Sequence, residues 1–329
     1  MSGRADADRT PDSSVLTLLL PARANLEGDL AAAPELARVL ARADADVGTG
    51  GDEAQLQRVF DVLPRGLPVA ALTRQYDCND AMQHTWLRAD PAHLRADLGS
   101  GRMLACGELG LSLEQSEELL QPLKPLFGDA GCPISAGSAS RWYVSLPRDA
   151  KLPTFVPPSR VLGDDIYPYL PDGELGRRWR RLLSEAQVVL HNHPLNAQRI
   201  AAGQVPVNSL WFWGGGVLPD HVRSAYRTLY SDDLLLAAMS RQAANTRLDL
   251  PSQLPTLASK EARFENTLID LRRLRSLPRI EADWMVPALA LQARRGFDQL
   301  QLDFADGALR RYRHAHRWRF WRRRPTTLA

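Results

Sequence analysis

The sequence has little cysteine and almost no lysine. Its three cysteines, Cys78, Cys106 and Cys132, are widely spaced and form no Cys-x-x-Cys pair. An odd number of cysteines at this spacing argues against a disulfide framework or a zinc ribbon, and it fits a reducing compartment. Lysine occurs only three times, so arginine carries nearly all of the positive charge. We attribute that bias to genome composition rather than to function.

Long apolar runs are also lacking. The apolar stretch Val15–Leu20 is too short for the core of a signal peptide, and no run approaches the roughly 20 apolar residues that a membrane helix needs. We therefore expect a cytoplasmic protein with no membrane association. The polar residues 1–14 are predicted to form a disordered N-terminus.

The common catalytic and metal-binding signatures are absent as well. The sequence contains no Gly-x-Ser-x-Gly motif and no His-Glu-x-x-His motif. His191 and His193 are two residues apart, and on a helix that spacing keeps their side chains from sharing a metal. We predict neither a metal site nor a cofactor.

The charge is concentrated at one end of the chain. The net charge is +3, but residues 297–329 contain eight arginines and three aspartates, a net +5, which leaves −2 for the rest. By composition, the body of the protein is therefore not a polyanion-binding surface. Only the C-terminal segment has the charge for one.

Apolar strands alternate with amphipathic helices along most of the chain. This alternation predicts an α/β fold with a mostly parallel sheet flanked by helices. Residues 76–149 mix short strands with a helix near Leu113–Phe127, and the Pro-rich segment after them is typical of a linker. We therefore predict a discontinuous core of residues 15–75 and 150–329, with residues 76–149 as a smaller inserted α+β domain. The stretch LPVAALTRQYD is predicted to be a short strand, and VNSLWFWGGG a strand that runs into a loop.

The last segment alternates with period two on both sides of Asp306-Gly307. This pattern predicts a C-terminal β-hairpin at the edge of the sheet. The residues predicted to share one face after the turn are Tyr312, His314, His316, Trp318 and Phe320. We favour the structural interpretation, in which these side chains face the sheet and the arginines face water. The alternative is nucleic-acid binding by interleaved bases and aromatics.

A third pattern lies at His191–Gly216. Pro194 begins a short helix on which Asn196 and Arg199 share a face, a suitable fork for a carboxylate or a phosphate. The same two side chains could instead only cap and bridge neighbouring elements. Three glycines follow the next strand without matching either common phosphate-loop pattern.

This stretch resembles the archaeal-type, cofactor-independent phosphoglycerate mutases, in which a helix runs to His-Pro-x-Asn, then Arg, Gly, Asn and a Gly-rich loop. The blocks LPDGELGRRWRRLL, WLRADPAHLRADLG and RWRFWRR resemble a bacterial family described as phosphoglycerate-mutase-like, or regulator of pathogenicity factors, E type. The bacterial resemblance extends over most of residues 15–324. The mutase resemblance is specific around residues 184–216.

The resemblance implies an alkaline-phosphatase-like fold with an inserted domain. It also implies phosphoryl transfer through a serine with the help of two divalent metals. By the resemblance, the candidate substrate-binding residues are His193, Asn196, Arg199, Asn208, Gly214 and Gly215. They could equally have been retained for folding alone.

Two departures bear on catalysis. The metal-binding Asp-Gly after the first strand is replaced by PARAN after Leu20, and no late Asp-x-x-Gly-His-type motif occurs. We therefore expect a non-catalytic relative with a binding or regulatory role, whose ligand is a small phosphorylated or carboxylated molecule. Two alternatives remain open: an active metal-dependent mutase or phosphatase with relocated ligands, and nucleic-acid binding through the C-terminus. The sequence assigns no protein partner.

Overall fold

The computed structural model describes residues 14–97, 100–255 and 263–328. The predicted disordered segment, residues 1–14, lies outside these ranges except for Ser14. Within the described ranges, no helix is both long enough and apolar enough to cross a membrane.

The strands alternate with helices over most of the chain. In chain order the strands are β1 (Val15–Leu20), β2 (Asp44–Val47), β3 (Phe60–Leu63), β4 (Thr85–Asp97), β5 (Ser100–Cys106), β6 (Ile134–Ser138), β7 (Arg141–Leu146), β8 (Ser209–Val217), β9 (His221–Ser224), β10 (Thr228–Tyr230), β11 (Thr246–Leu248), β12 (Thr267–Asp270), β13 (Gln299–Phe304) and β14 (Ala308–Arg313). The helices are α1 (Pro34–Arg42), α2 (Asp52–Val59), α3 (Val69–Cys78), α4 (Leu113–Leu120), α5 (Leu123–Asp129), α6 (Gly173–His191), α7 (Pro194–Ala201), α8 (Leu234–Gln242), α9 (Leu277–Arg279) and α10 (Val286–Ala293). A π-helical turn, Ile280–Met285, joins α9 to α10.

The chain divides by its internal contacts into two units. Unit 1 comprises Met1–Leu63 with His221–Ala329, and unit 2 comprises Pro64–Asp220. The predicted insert, residues 76–149, is narrower than unit 2, and the predicted core, residues 15–75 and 150–329, is wider than unit 1. The physical reason is that β8 pairs with β4 over most of its length, while Trp179 of α6 packs in the same apolar cluster as Phe212 of β8.

The sheet of unit 1 has the order β11-β10-β12-β1-β13-β14-β2. Strands β11, β10, β12, β1 and β13 run parallel to one another. Strand β14 pairs antiparallel with β13, and β2 pairs antiparallel with β14. The central strand β1 is buried on both faces, since Leu18 and Leu19 are both fully buried, as expected for a parallel strand covered on two sides. Leu36 of α1 and Ala288 of α10 belong to the core cluster that covers one face. The predicted α/β class with a mostly parallel sheet flanked by helices is confirmed.

The C-terminal hairpin forms as the sequence predicts, but it does not end the sheet. Gly307 has φ +91°, which the turn between β13 and β14 requires, and its N–H donates to the Phe304 carbonyl. The edge is taken by β2, which pairs with β14 and is exposed along its length. The polar sequence of β2, DADV, gave no apolar alternation by which to recognise a strand.

The residues after β14 do not continue the strand. A 3₁₀ turn, His314–Trp318, interrupts the period-two pattern on which the predicted sheet-facing row depends. Tyr312 and His316 are buried, but Trp318 is 64% exposed and Phe320 is 75% exposed. The prediction that these side chains face the sheet is wrong for His314, Trp318 and Phe320, which are exposed, while His316 is buried but lies in the 3₁₀ turn and not in the strand.

The sheet of unit 2 is organised around the long strand β4. It pairs with β5 and β7 along one edge and with β8 along the other. The three glycines predicted to lie in a loop are part of β8, where Gly216 is opposite Trp86. The stretch LPVAALTRQYD, predicted to be a short strand, forms helix α3. The prediction is wrong because a short apolar run does not distinguish a strand from a buried helix. The helix near Leu113–Phe127 is present as α4 and α5, with Ser112 and Gln115 forming a capping box.

Candidate functional site

In unit 1, acidic side chains collect where the parallel strands end. Leu19 of β1 is the register partner of Asp270 in β12 on one side and of Asp303 in β13 on the other. Residues in register on parallel strands point to the same face, so the two carboxylates flank β1 at one level. Asp306 lies in the turn after β13, and Asp233 precedes α8. Because α/β proteins bind ligands at the carboxyl ends of their strands, we take this edge as the candidate functional site.

The carboxylate of Asp270 is bound by an arginine two residues further along the chain. Arg272 Nε and Nη2 donate to Asp270 Oδ1 and Oδ2 at 2.8 and 3.0 Å, and the Ser231 hydroxyl contacts Oδ2 at 2.9 Å. Burial by itself would raise the pKa of Asp270, but the hydrogen bonds from Arg272 and Ser231 outweigh it and hold the pKa below its ordinary value. Asp270 is therefore a charged carboxylate, and both of its oxygens accept hydrogen bonds from this chain.

The guanidinium of Arg272 also lies against a second carboxylate. Arg272 Nη2 is 3.6 Å from Asp233 Oδ1, and Arg273 Nη2 is 3.9 Å from Asp233 Oδ2. Asp233 is the N-cap of α8 and accepts from the Leu236 N–H at 3.0 Å. One arginine thus stands between the two carboxylates that border β10 and β12.

On the other side of β1, the arrangement is repeated. Arg58 of α2 donates to both carboxylate oxygens of Asp303, at 3.0 and 2.6 Å, and Asp303 is buried. Gln55, one turn earlier on α2, donates through Nε2 to the Leu20 and Asp303 carbonyl oxygens. The Oε1 atom of Gln55 is buried and has no hydrogen-bond partner among the described residues. These two side chains tie the ends of β1 and β13 together.

A third pair borders an open cleft. Arg23, just after β1, donates through Nε to Asp306 at 2.8 Å and through Nη1 to the Leu328 carbonyl at 2.9 Å. Burial and the charge of Arg23 lower the pKa of Arg310, and the Asp306 carboxylate acts in the opposite direction. The cleft has a volume of about 620 Å³. Its lining residues are Arg23, Ala24, Leu26, Gly28, Asp29, Leu30, Leu277, Asp306, Thr326, Thr327 and Leu328.

This donor set does not fit a pair of divalent metals. Two-metal chemistry needs carboxylates and imidazoles that converge on ions roughly 3.5–4 Å apart. Here Asp270, Asp303 and Asp306 are each held by an arginine of the same chain. No group of three or more His, Cys, Asp or Glu side chains in the described ranges is placed to hold a metal ion. A guanidinium is permanently charged and takes both oxygens of a carboxylate, so it occupies the position that a metal would need.

The predicted site residues of the His-Pro-x-Asn segment lie in unit 2, where their polar atoms bind the main chain. The Asn196 amide donates to the Leu190 and Val207 carbonyls and accepts from the Val207 N–H, all at 2.7–2.8 Å. Asn208 exchanges two hydrogen bonds with the main chain of Leu94. These contacts fix the loop between α7 and β8 and its junction with β4.

Arg199 is almost completely buried. Its guanidinium donates to the Val205 and Leu109 carbonyls at 2.9 and 2.6 Å and to the Gln115 side chain at 3.2 Å. His193 is the N-cap of α7, and its Nδ1 accepts from the main-chain N–H two residues further on. The predicted residues are close in sequence, and in the structure the side chains of Asn196, Arg199 and Asn208 donate to main-chain oxygens of the fold.

The glycines of β8 permit close packing. A Cβ at Gly214 would lie 3.0 Å from the Val69 Cβ of α3, and one at Gly215 would lie 2.4 Å from the Leu152 Cδ1. Gly214 also has φ +66°, which favours glycine. Their surroundings explain these glycines without a bound anion.

Unit 2 contains a buried ionic network that the sequence reasoning missed. Arg88 Nε and Nη2 bind the two oxygens of Asp90 at 2.8 Å each, and the Trp213 indole N–H donates to the same carboxylate at 2.7 Å. The Arg88 guanidinium stacks over the rings of Tyr143 and Trp213, at 5.3 and 5.2 Å from the ring centroids. Desolvation raises the pKa of Asp90. The only sequence signal was Arg-x-Asp within an apolar strand, where charged residues need partners.

The fold and the edge together define a mixed α/β protein whose carboxylates at the strand ends are neutralised by its own arginines. Comparison with known proteins gives a partial similarity. No family model matches the chain. A stretch of 110 residues, 33% of this chain, is 34% identical to 27% of the probable 2,3-bisphosphoglycerate-independent phosphoglycerate mutase of Geobacter sulfurreducens. A stretch of 74 residues, 22% of this chain, is 39% identical to 18% of the 2,3-bisphosphoglycerate-independent phosphoglycerate mutase of Methanosarcina mazei.

The chain therefore has distant homology to these mutases over part of its length, and the matches span less than a third of each relative. Two solved structures align with 92% of the chain. They are the cofactor-independent phosphoglycerate mutase from Thermoplasma acidophilum (14% identity, TM-score 0.39, 90% of that chain) and the PH0037 protein from Pyrococcus horikoshii (10% identity, TM-score 0.40, 88% of that chain). The strand pairings of this chain define its fold.

Proposed function

We propose that this protein is a phosphoglycerate-mutase-like protein that has a binding or regulatory role in place of metal-dependent phosphoryl transfer. The observation that carries the proposal is the pairing of Asp270 with Arg272, at 2.8 and 3.0 Å, at the carboxyl end of β12. Arginines also pair with Asp303 and Asp306. A cytoplasmic location and membership of the bacterial regulator subtype are parts of this proposal.

The ligand that we propose is a small phosphorylated or carboxylated acid, bound in the cleft beside Arg23. The cleft is lined by apolar side chains, by the carboxylates of Asp29 and Asp306, and by one partly exposed guanidinium, that of Arg23. Arg310 is not part of the lining, but the charge of Arg23 contributes to lowering its pKa. Arginine is well suited to both carboxylate and phosphate, and an anion bound there would compete with Asp306 for the Arg23 guanidinium. We do not place the ligand on Arg199 or Asn196, since both are almost completely buried, whereas 26% of the Arg23 side chain is exposed.

Thermal unfolding with and without 3-phosphoglycerate tests the binding site. We expect the ligand to raise the melting temperature of the wild type and to have little effect on Arg23→Ala or Arg310→Ala. Because each variant is compared with itself, any intrinsic loss of stability cancels. Arg227→Ala, at an exposed salt bridge to Glu265, is the matched control and should retain the full ligand-induced shift. An equal shift in Arg23→Ala and Arg310→Ala would remove this cleft as the binding site.

A turnover assay tests the competing function, an active metal-dependent mutase or phosphatase with relocated ligands. The homology to mutases over part of the chain is the observation in its favour. We expect no conversion of 3-phosphoglycerate and no phosphate release, with or without added Mn²⁺ or Mg²⁺. Turnover that a chelator abolishes would establish the enzyme and refute the non-catalytic role.

A further inference from the structure

The segment Arg313–Arg324 carries an exposed surface that the proposed function does not use, and we call it the arginine–aromatic surface. Three large rings stand in solvent within four positions: Trp318, Phe320 and Trp321 are 64%, 75% and 68% exposed. Tyr167 is the other aromatic side chain with comparable exposure in the described ranges. Soluble proteins rarely leave such a concentration of apolar area without a partner.

The main chain of this segment is anchored to the body of unit 1. Arg319 donates to Asp44 at 2.6 Å and to the Arg42 carbonyl at 3.0 Å, while Arg42 in turn donates to the Arg317 carbonyl at 2.6 Å. Arg322 donates to the main-chain oxygen that precedes Asp44. The rings therefore project from a fixed base and do not lie on a loose tail.

The charge of the surface is strongly positive. Residues 313–324 contain six arginines and no acidic residue. Asp44 pairs with Arg319, but Arg322, Arg323 and Arg324 are exposed and have no carboxylate within 4.0 Å among the described residues. A partner that covers this surface must therefore be a polyanion that also offers flat apolar faces.

The rings are open to stacking. The Arg317 guanidinium is 4.9 Å from the Trp318 ring centroid, and the rings of Phe320 and Trp321 meet edge to face, 5.6 Å apart. Interleaved arginines and exposed aromatics are the elements with which proteins hold single strands, because bases stack on rings while phosphates pair with guanidinium groups.

An anionic lipid surface fits less well. Insertion at a membrane interface uses a regular amphipathic helix, whose main-chain groups are satisfied internally. Here the 3₁₀ turn ends at Trp318, and Phe320 and Trp321 follow in irregular chain. The main-chain groups of this irregular segment need water as a hydrogen-bond partner, and a bound nucleic-acid strand leaves that water in place. We propose that the arginine–aromatic surface binds single-stranded nucleic acid by stacking and phosphate contacts, without base-specific readout.

The experiment measures the anisotropy of a short fluorescein-labelled oligothymidylate titrated with the full chain, over a series of salt concentrations. We expect binding that weakens steeply with salt. The triple variant Trp318→Ala, Phe320→Ala, Trp321→Ala should bind at least about tenfold more weakly, since each of these rings would lose a base stacked on it. The double variant Arg323→Ala, Arg324→Ala should flatten the slope of log K against log salt by about 1.4, which is about 0.7 per lost phosphate contact.

The matched controls are Tyr167→Ala, the remaining exposed ring, and the pair Arg65→Ala, Arg177→Ala, two exposed arginines of unit 2. Both should bind like the wild type, and circular dichroism should show that every variant is folded. Unchanged affinity in the triple aromatic variant would overturn the proposal. So would binding to phosphatidylglycerol vesicles, with a blue shift of tryptophan emission, in the absence of oligonucleotide binding.

Discussion

Each unit contains a buried Arg–Asp pair of the same local form, and the two pairs differ in their surroundings. In unit 2, Arg88 and Asp90 lie two residues apart in the interior of β4, with hardly any exposed area. In unit 1, Asp270 and Arg272 lie two residues apart at the end of β12, and 15% of the Arg272 side chain is exposed. Both pairs use two N–H···O contacts of 2.8–3.0 Å.

The difference in surroundings reverses the effect on the carboxyl group. Complete desolvation raises the pKa of Asp90, although Arg88 and Trp213 donate to it. At Asp270 the donors prevail over burial, and the pKa falls. The pair in β4 therefore acts as a structural element of a core. The pair at the strand end keeps a charged carboxylate at the sheet edge where α/β proteins commonly bind ligands, and an internal cation pairs with it.

Removing one partner of the fully buried pair should have the largest effect. Asp90→Ala leaves the Arg88 charge buried without a carboxylate, and we expect a loss of about 3–5 kcal/mol in the free energy of unfolding. Urea denaturation measures the loss. Asp220→Ala, at a highly exposed carboxylate 3.8 Å from Arg148, is the control and should show no measurable change. A loss of less than about 1 kcal/mol in Asp90→Ala would mean that the β4 pair is not a core element.

The equivalent change at the strand end should be smaller. In Arg272→Met, Asp270 keeps the Ser231 hydroxyl and partial access to water. We therefore expect a loss of about 2 kcal/mol in the free energy of unfolding, below the cost for a fully buried pair. Arg273→Met, with a side chain 76% exposed, should be close to neutral. If Arg272→Met were as costly as Asp90→Ala, the contrast between edge and core would fail.

Loss of the Ser231 hydroxyl should be weaker again. Ser231→Ala removes one hydrogen bond to Asp270 Oδ2 and leaves the Arg272 pair in place, so about 1 kcal/mol is expected. It should also move the pKa of Asp270 upward, toward its ordinary value. Thermal unfolding of Ser231→Ala against the exposed control Ser252→Ala checks the first effect. Equal stability of the two variants would show that the hydroxyl does not support the carboxylate.

The smallest expected effect is on the pH dependence of stability, to which Asp270 and Asp90 should contribute with opposite signs. The folded pKa of Asp270 lies below the ordinary 3.8, so its contribution is complete above 3.8 and is lost as the pH falls through the folded value. The folded pKa of Asp90 lies above 3.8, so its protonation favours the folded state and its contribution has the opposite sign. The stability difference between wild type and Asp270→Asn should shrink on acidification. A difference that grows would reverse the assignment.

The sequence predicted the strongly periodic elements and missed those that depend on partners. The central strand β1, the long helix α6 and the Asp306-Gly307 hairpin follow from local patterns of apolar residues and turn chemistry. Helix α3 resembles a strand because it is short and apolar. Strand β2 carries no apolar pattern, since it is an exposed edge held by main-chain pairing with β14.

The candidate site was predictable only in part. The absence of an Asp-Gly after Leu20 drew attention to this strand end, but the sequence could not indicate that Asp270 and Asp303 flank β1, because that depends on strand order. Asn196 and Arg199 have the residue types of an anion fork. Their role is decided by which donors the fold leaves unpaired, and sequence spacing does not report this.

Calorimetric titration of the purified wild type with Mn²⁺ tests the central claim most directly. The account predicts no binding at the strand ends of unit 1, because guanidinium groups already hold the carboxylates of Asp270, Asp303 and Asp306. Two Mn²⁺ ions bound per chain, with heat that disappears in Asp270→Asn and Asp303→Asn, would contradict it.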